Sequence, residues 1–146
     1  MTFLATNRPG APLYLLDTDT ASYIIKRHTT GIERRLQEVR PDAVAVSAIT
    51  RAELLYGLQK VASKNGLHAL VHAFLSAVRT LPWDEEAADQ YAGIRHSLTV
   101  SGQPIGSLDM MIAAHAVATG TILVTNNTRH FEHVRPKLRL ENWVDP

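Results

Sequence analysis

Short apolar runs alternating with longer stretches of helical periodicity constrain this chain more than any other feature. PLYLL (12–16), AVAV (43–46), RTLPW (79–83, broken at Pro82) and TILVT (121–125) are short for helices and suit buried strands. Between them lie segments that read as helices: TASYIIKR, GIERRLQEV, AITRAELLYGLQKVA behind a capping Ser47, residues 67–78, DEEAADQYAGIRHSLTVSG, and the stretch from Ser107. Leu54, Leu55, Leu58 and Val61 recur at helical spacing, and Gly102 falls just past a helix end. Strands alternating with helices imply an α/β domain with a mainly parallel central sheet flanked by helices, and KLRLENW reads as an edge addition.

A chain of 146 residues fits one domain and buries about two-thirds of its unfolded surface without disulfide or metal staples. Residues 12–146 form that domain, and residues 1–11, MTFLATNRPGA, lack the basic start and apolar stretch of a secretory signal and read as a flexible leader. Hydrophobic residues at 45% and charged residues at 20% indicate a globular chain, and no apolar run reaches membrane-spanning length. With no cysteine, a disulfide framework and thiolate catalysis are excluded, and the composition is compatible with the reducing cytoplasm expected for it. The net charge of +1 makes no case for nucleic acid. Two basic clusters, Lys26, Arg27, Arg34, Arg35 and Arg40, then Arg129, Arg135, Lys137 and Arg139, read first as solvated faces.

Three acids stand out by position. Asp109 shares a helical face with Ile112, Ala113 and Ala116, half out of water; a capping Ser107 and the helix macrodipole would explain it if it stood alone. Asp17 follows the first strand, where the crevice of an open parallel sheet lies, although LLDTDT would equally make an Asx-turn or a helix cap. Glu53 shares a face with Ile49, Ala52 and Tyr56, or is a solvated helix former beside an apolar stripe. Thr125, Asn126 and Asn127 end the last strand with neutral oxygen groups, or make a turn.

Taken together, these acids require a cation. Two carboxylates about 4 Å apart at an effective dielectric near 20 repel by roughly 4 kcal/mol, against a total stability of about 5–15 kcal/mol. Oxygen ligands without cysteine favour Mg²⁺ or Mn²⁺ over Zn²⁺, and such an ion suits phosphoryl chemistry. His68 and His72 have chelating spacing without a third ligand and read as a surface pair; His115, away from the acid face, reads as packing or surface polarity. Tyr14, Tyr23, Tyr56, Trp83 and Phe131 could stack on bases, but core packing accounts for most aromatics.

The order LLDTD, SAITRAELLYG, GQPIGSLDMMIAAHAVATG, TILVTNNTRHF and a closing ENW resembles the PIN-domain ribonucleases, specifically the VapC-type toxins of toxin–antitoxin systems, over residues 13–143. The resemblance implies a PIN-like three-layer domain and a metal-dependent endoribonuclease, using Mg²⁺ or Mn²⁺ to hydrolyse tRNA or rRNA internally through metal-activated water. Asp17, Glu53 and Asp109 match the family's acids: Asp17 and Asp109 would hold the ion, and Glu53 would ligate it or act as base. Thr18, Asp19, Thr125, Asn126 and Asn127 would orient these groups or water. Many relatives carry a further Asp where this chain has Asn127, which leaves one metal or two open. A homodimer and a cognate antitoxin that blocks the pocket are also implied. Two other readings remain: a haloacid-dehalogenase-like phosphatase with Asp17 as nucleophile, despite Ala21 where that family expects Thr or Val, and a non-catalytic domain binding a structural ion or basic peptide.

Overall fold

A computed structural model describes residues 11–26 and 30–144, so the expected leader, apart from Ala11, and Arg27 lie outside the described residues. Five strands, β1 (Tyr14–Leu16), β2 (Val44–Ser47), β3 (Arg79–Leu81), β4 (Ile122–Val124) and β5 (Leu140–Glu141), pair in the order β3-β2-β1-β4-β5. Every pairing is parallel, including the edge strand drawn from KLRLENW. The helices are α1 (Thr18–Lys26), α2 (Thr30–Glu38), α3 (Ala48–Gln59), α4 (Leu67–Ala77), α5 (Glu85–Val100), α6 (Ser107–Thr119) and the short α7 (Thr128–Phe131), with a 3-10 turn at Pro41–Ala43.

The helix ends follow from local chemistry. Ser47 caps α3 by accepting from the Ile49 N–H at 3.1 Å, and Asp84 caps α5 by accepting from the Ala87 N–H at 3.2 Å. Gly120 closes α6 with φ 66, and Gly102 follows α5 with φ 70, a region that glycine enters without penalty. Ser107 is not the cap of α6: the Gly106 carbonyl already accepts from the Met110 N–H at 2.9 Å, so Ser107 lies inside the first turn and its side chain caps nothing.

Alternation along each strand divides the core in two. Leu15, Ala45, Leu81 and Leu123 face α5, α6 and Phe131 of α7, while Leu16, Val44, Val46 and Val124 face α1 to α4 and Trp143. Because helices cover both faces, the strands read as unbroken apolar runs rather than alternating ones. Buried on Met110 and on every position from Ile112 to Ala116, α6 lies within its layer rather than on it. Three layers result, helices on sheet on helices.

Leu123 is fully buried at the centre of this arrangement. Leu123→Ala is expected to lower unfolding free energy by about 2–5 kcal/mol, measured by urea denaturation with an unchanged slope.

Candidate active site

Parallel strands expose their carboxyl ends on one edge of the sheet, and the chain leaves β1 toward β2 and β3 on one side and returns to β4 on the other. β1 is therefore the switch point, where a crevice opens. Leu16 stands in register with both Val46 and Val124, which sets Asp17 beside Ser47 and Thr125 at that edge. Asp17 is 6% exposed, and its own N–H is held by the Val124 carbonyl at 3.0 Å. Its carboxylate accepts from the Thr20 N–H at 2.8 Å and from the Thr125 hydroxyl. The capping and crevice readings are thus both satisfied by one side chain.

Glu53, half-buried on α3, accepts from the Thr18 hydroxyl at 2.6 Å, and Thr18 in turn contacts the Thr50 hydroxyl at 3.1 Å. Its shelter is not the apolar face expected from spacing. Ala52 is exposed and Tyr56 is 64% exposed, and of that group Ile49 packs against the core. Pairing with α1 through Thr18, rather than helix periodicity, covers this carboxylate.

Asp109 opens the first turn of α6 with its side chain 44% exposed, while Ile112, Ala113 and Ala116 on the same face are fully buried. His130 Nε2 lies 3.0 Å from Asp109 Oδ2. Sequence reasoning passed over His130. Its signal was present in TNNTRHF, a histidine on the short helix that follows the polar end of β4.

The remaining expected residues divide. Thr125 is fully buried against Asp17 and accepts from the Asn127 N–H at 3.0 Å. Asp19 is exposed in the first turn of α1, where its charge acts on both Asp17 and Glu53. Asn126 is exposed and its side-chain oxygen accepts from Asn142 at 3.2 Å, turned to the carboxyl-terminal segment. Asn127 is exposed and its described hydrogen bonding is through its backbone. Of the two readings of His115, packing holds and surface polarity does not: it is 1% exposed, and it is also bonded to Ser47. His68 reaches the Val61 carbonyl at 3.1 Å, and His72 is exposed.

The basic clusters are partly committed. Arg35 bridges Tyr14, Glu38 and Glu141, Arg40 pairs with Asp42, and Arg139 donates to the Gly120 carbonyl. Phe131 is core, Tyr14, Tyr23 and Trp83 are half-buried, and Tyr56 alone of the five aromatics singled out is mostly free.

Burial pushes the Asp17 carboxyl above its ordinary value, against hydrogen bonds from Thr125 and Thr20 that favour its charge, and the negative Asp19 adds to the rise. Burial likewise pushes Glu53 up; the Thr18 hydroxyl opposes it, and the charges of Asp109, Asp19 and Asp17 reinforce it. Carboxylates from the end of β1, from α1 and from α6 therefore all act on Glu53. Among the described residues no three His, Cys, Asp or Glu side chains gather tightly enough to grip an ion directly. An all-oxygen anionic set of this looseness fits a hard divalent ion that keeps several waters and takes one or two carboxylates, the Mg²⁺ habit, rather than a closed Zn²⁺ cage. Beside Glu53 and Thr18 runs a groove of about 350 Å³ between α1, α3 and α4, floored by Ile25, Leu54 and Val71, with Lys26 and Lys60 also lining it.

The same fold occurs in known proteins. Residues 14–136 match the PIN domain family. The tRNA(fMet)-specific endonuclease VapC of Salmonella typhimurium is 37% identical over 130 residues, spanning 89% of this chain and 97% of that protein. Ribonuclease VapC2 of Haemophilus influenzae strain Rd is 40% identical over 131 residues, spanning 90% and 98%. The crystal structure of DNA-bound VapBC from Salmonella typhimurium superposes with a TM-score of 0.84 at 36% identity, covering 90% of this chain and 98% of that one.

Two measurements check the electrostatics. Removing the Thr18 hydroxyl in Thr18→Val is expected to move the Glu53 titration, followed by carboxyl ¹³C shifts, to higher pH, because the bond favours the charged form. Since folding raises the Asp17 pKa above 3.8, the folded chain binds the extra proton and metal-free stability falls as pH rises past that value. Asp17→Asn in EDTA is therefore expected to melt higher than the parent near neutral pH, an advantage that shrinks on acidification toward pH 3.8.

Proposed function

The chain belongs to the PIN-domain family, among its VapC-type toxins, and from that premise we propose that it is a metal-dependent endoribonuclease, the toxin of a toxin–antitoxin pair. The observation that carries the reading is the set of carboxylates Asp17, Glu53 and Asp109, with Glu53 pushed up by burial and then by the charges of Asp109, Asp19 and Asp17. The family match removes support from the phosphatase reading of LLDTDT. In the capped position found here, the Asp17 carboxylate is held by Thr20 and Thr125.

A divalent ion, Mg²⁺ or Mn²⁺, would supply neutralisation of phosphate charge and a lower pKa for the attacking water. Asp17 and Asp109 would hold it, Asp17 from a side chain already fixed by Thr125 and the Thr20 N–H, and Asp109 from beside His130. Glu53 orients the attacking water and receives its proton; a carboxyl shifted upward is a better base near neutral pH than an ordinary one. Thr18 sets the direction of that carboxylate. Cleavage leaves a 5′-phosphate and a 3′-hydroxyl. Asp19 adds negative charge beside both Asp17 and Glu53, a further draw on a cation at this edge.

The relative from Salmonella is named for tRNA(fMet), which makes that RNA the first substrate to test, ahead of rRNA fragments. The solved relative is a toxin–antitoxin complex, and by the same reasoning this chain, acting in the cytoplasm as a homodimer, is held inactive by its own antitoxin. The apolar groove beside Glu53 gives such a protein partner a path to the acids. Among the described residues no helix is long and apolar enough to cross a membrane.

Purified protein with Mg²⁺ is expected to cleave tRNA(fMet) and to stop on chelation. Asp17→Asn, Asp109→Asn and Glu53→Gln are each expected to slow cleavage by about 10²-fold or more while remaining folded by circular dichroism. Parental rates in the Asp17→Asn variant at saturating Mg²⁺ would overturn the assignment.

A further inference from the structure

Behind the acids a second polar cluster is sealed into the core, and the proposed reaction does not use it. His115 of α6 is 1% exposed and Ser47, at the end of β2, is fully buried. His115 Nδ1 lies 2.7 Å from Ser47 Oγ, and the ring also hydrogen-bonds to the backbone of Pro82, just past β3. The Ser47 hydroxyl has one proton to give, and Nδ1 is the acceptor within its reach. Ser47 Oγ has its other role already: it accepts from the Ile49 N–H at 3.1 Å, the cap of α3. Burial holds the imidazole in the neutral form this chain of bonds needs, against the pull of nearby Asp84. The Pro82 turn is itself fastened to α6, because Trp83 Nε1 donates to the Met111 carbonyl at 2.9 Å.

The relay joins two elements whose fully buried apolar side chains go to opposite layers, although Ile49, near the start of α3, packs against the layer of α6. α3 buries Leu54 and Leu58 in one core layer, and α6 buries Met110, Ile112, Ala113, Ala114 and Ala116 in the other, across the sheet. Apolar surfaces are non-directional, so packing sets how far each layer stands from the sheet but does not by itself fix the rotation of one helix against the other. A hydrogen-bonded imidazole does. Ser47 is the residue from which α3 starts, Glu53 follows six positions later, and Asp109 lies six positions before His115.

We propose that His115 is a positioning residue for the acid cluster: through the Ser47 hydroxyl it fixes the start of α3, and with it Glu53, against the helix that carries Asp109. Its catalytic consequence rests on the nuclease reading; its structural consequence does not. A histidine that merely filled the core would be replaceable by an apolar side chain with loss of stability alone.

The test uses the full chain as His115→Leu, His115→Asn, Ser47→Ala and the Ser47→Ala/His115→Leu pair. Leucine fills space without an acceptor, whereas the asparagine amide oxygen stands near the position of Nδ1. kcat and KM on tRNA(fMet) are measured together with hydrogen exchange at the Ala52 and Glu53 amides, well below the unfolding temperature. We expect His115→Leu to lower kcat at least fivefold with KM within twofold, His115→Asn to recover most of that loss, and the double variant to be no slower than the slower single. Exchange at the two amides is expected to quicken at least fivefold in His115→Leu and not in His115→Asn. A loss of kcat under fivefold, no recovery in His115→Asn, multiplicative losses in the double variant, or unchanged exchange would each overturn the proposal. Should His115→Leu not fold, Ser47→Ala, which leaves the imidazole in place, is held to the same thresholds. If the parent cleaves no RNA, the nuclease reading has failed, and amide exchange alone decides the role of His115.

Discussion

β1 is enclosed on every side. β2 and β4 pair with both of its edges, and Leu15 and Leu16 enter opposite cores with no exposed surface. A three-residue strand held in this way has no freedom to slip, since a shift of one position would exchange its two core faces. Asp17, the next residue, inherits that rigidity. Its N–H is held by the Val124 carbonyl at 3.0 Å and its carboxylate by the first turn of α1, so the charge is aimed before any ligand arrives.

That fixity has an electrostatic cost. Unfolded, Asp17, Glu53 and Asp109 are far apart in the chain and solvated; folded, Asp17 is pushed upward by burial and the charge of Asp19, and Glu53 by burial and the charges of Asp109, Asp19 and Asp17. Hydrogen bonds from Thr18, Thr20 and Thr125 offset part of this, and each such bond to a charged acceptor contributes about 1.5–3 kcal/mol at most. The rest must come from the two apolar layers. A fold with helices on both sheet faces has that reserve, and it is the reason a chain with neither disulfide nor metal staple can hold its anions together before a cation neutralises them.

The strands and most helices were legible because each is specified locally, by an apolar run of strand length or by a cap such as Ser47 or Asp84. Asp17 and Asp109 were legible for a related reason, since the end of a strand and the first turn of a helix are positions recognisable in one dimension. The place of Glu53 on its helix was legible, but what shelters it was not. Its shelter is the Thr18 hydroxyl, 35 positions away in the chain, and no periodicity within α3 encodes that contact. The contacts of His130 and His115 were not legible, because the partner of each lies on another element: Asp109 for the first, Ser47 for the second. Ser107 was over-read, since a good capping residue in the right place is a permission, and a glycine carbonyl one position earlier took the role.

The acids come from three different layers of the molecule: Asp17 from the sheet, Glu53 from α3 on one side, and Asp109 from α6 on the other. Their separations are therefore set by the spacing between layers, a global property of the core rather than of any loop. Leu16, Val46 and Val124 set the distance from the sheet to α3, while Leu15, Ala45 and Leu123 set the distance from the sheet to α6. In a close-packed interior a change of one methylene in either set is transmitted as a displacement. A site that depends on charges kept loosely apart tolerates such displacement poorly, because repulsion between like charges and their common grip on a cation both vary steeply with distance. The polar link through Ser47 and His115 crosses from one layer to the other just beneath the acids, where apolar contact alone would leave the spacing softest.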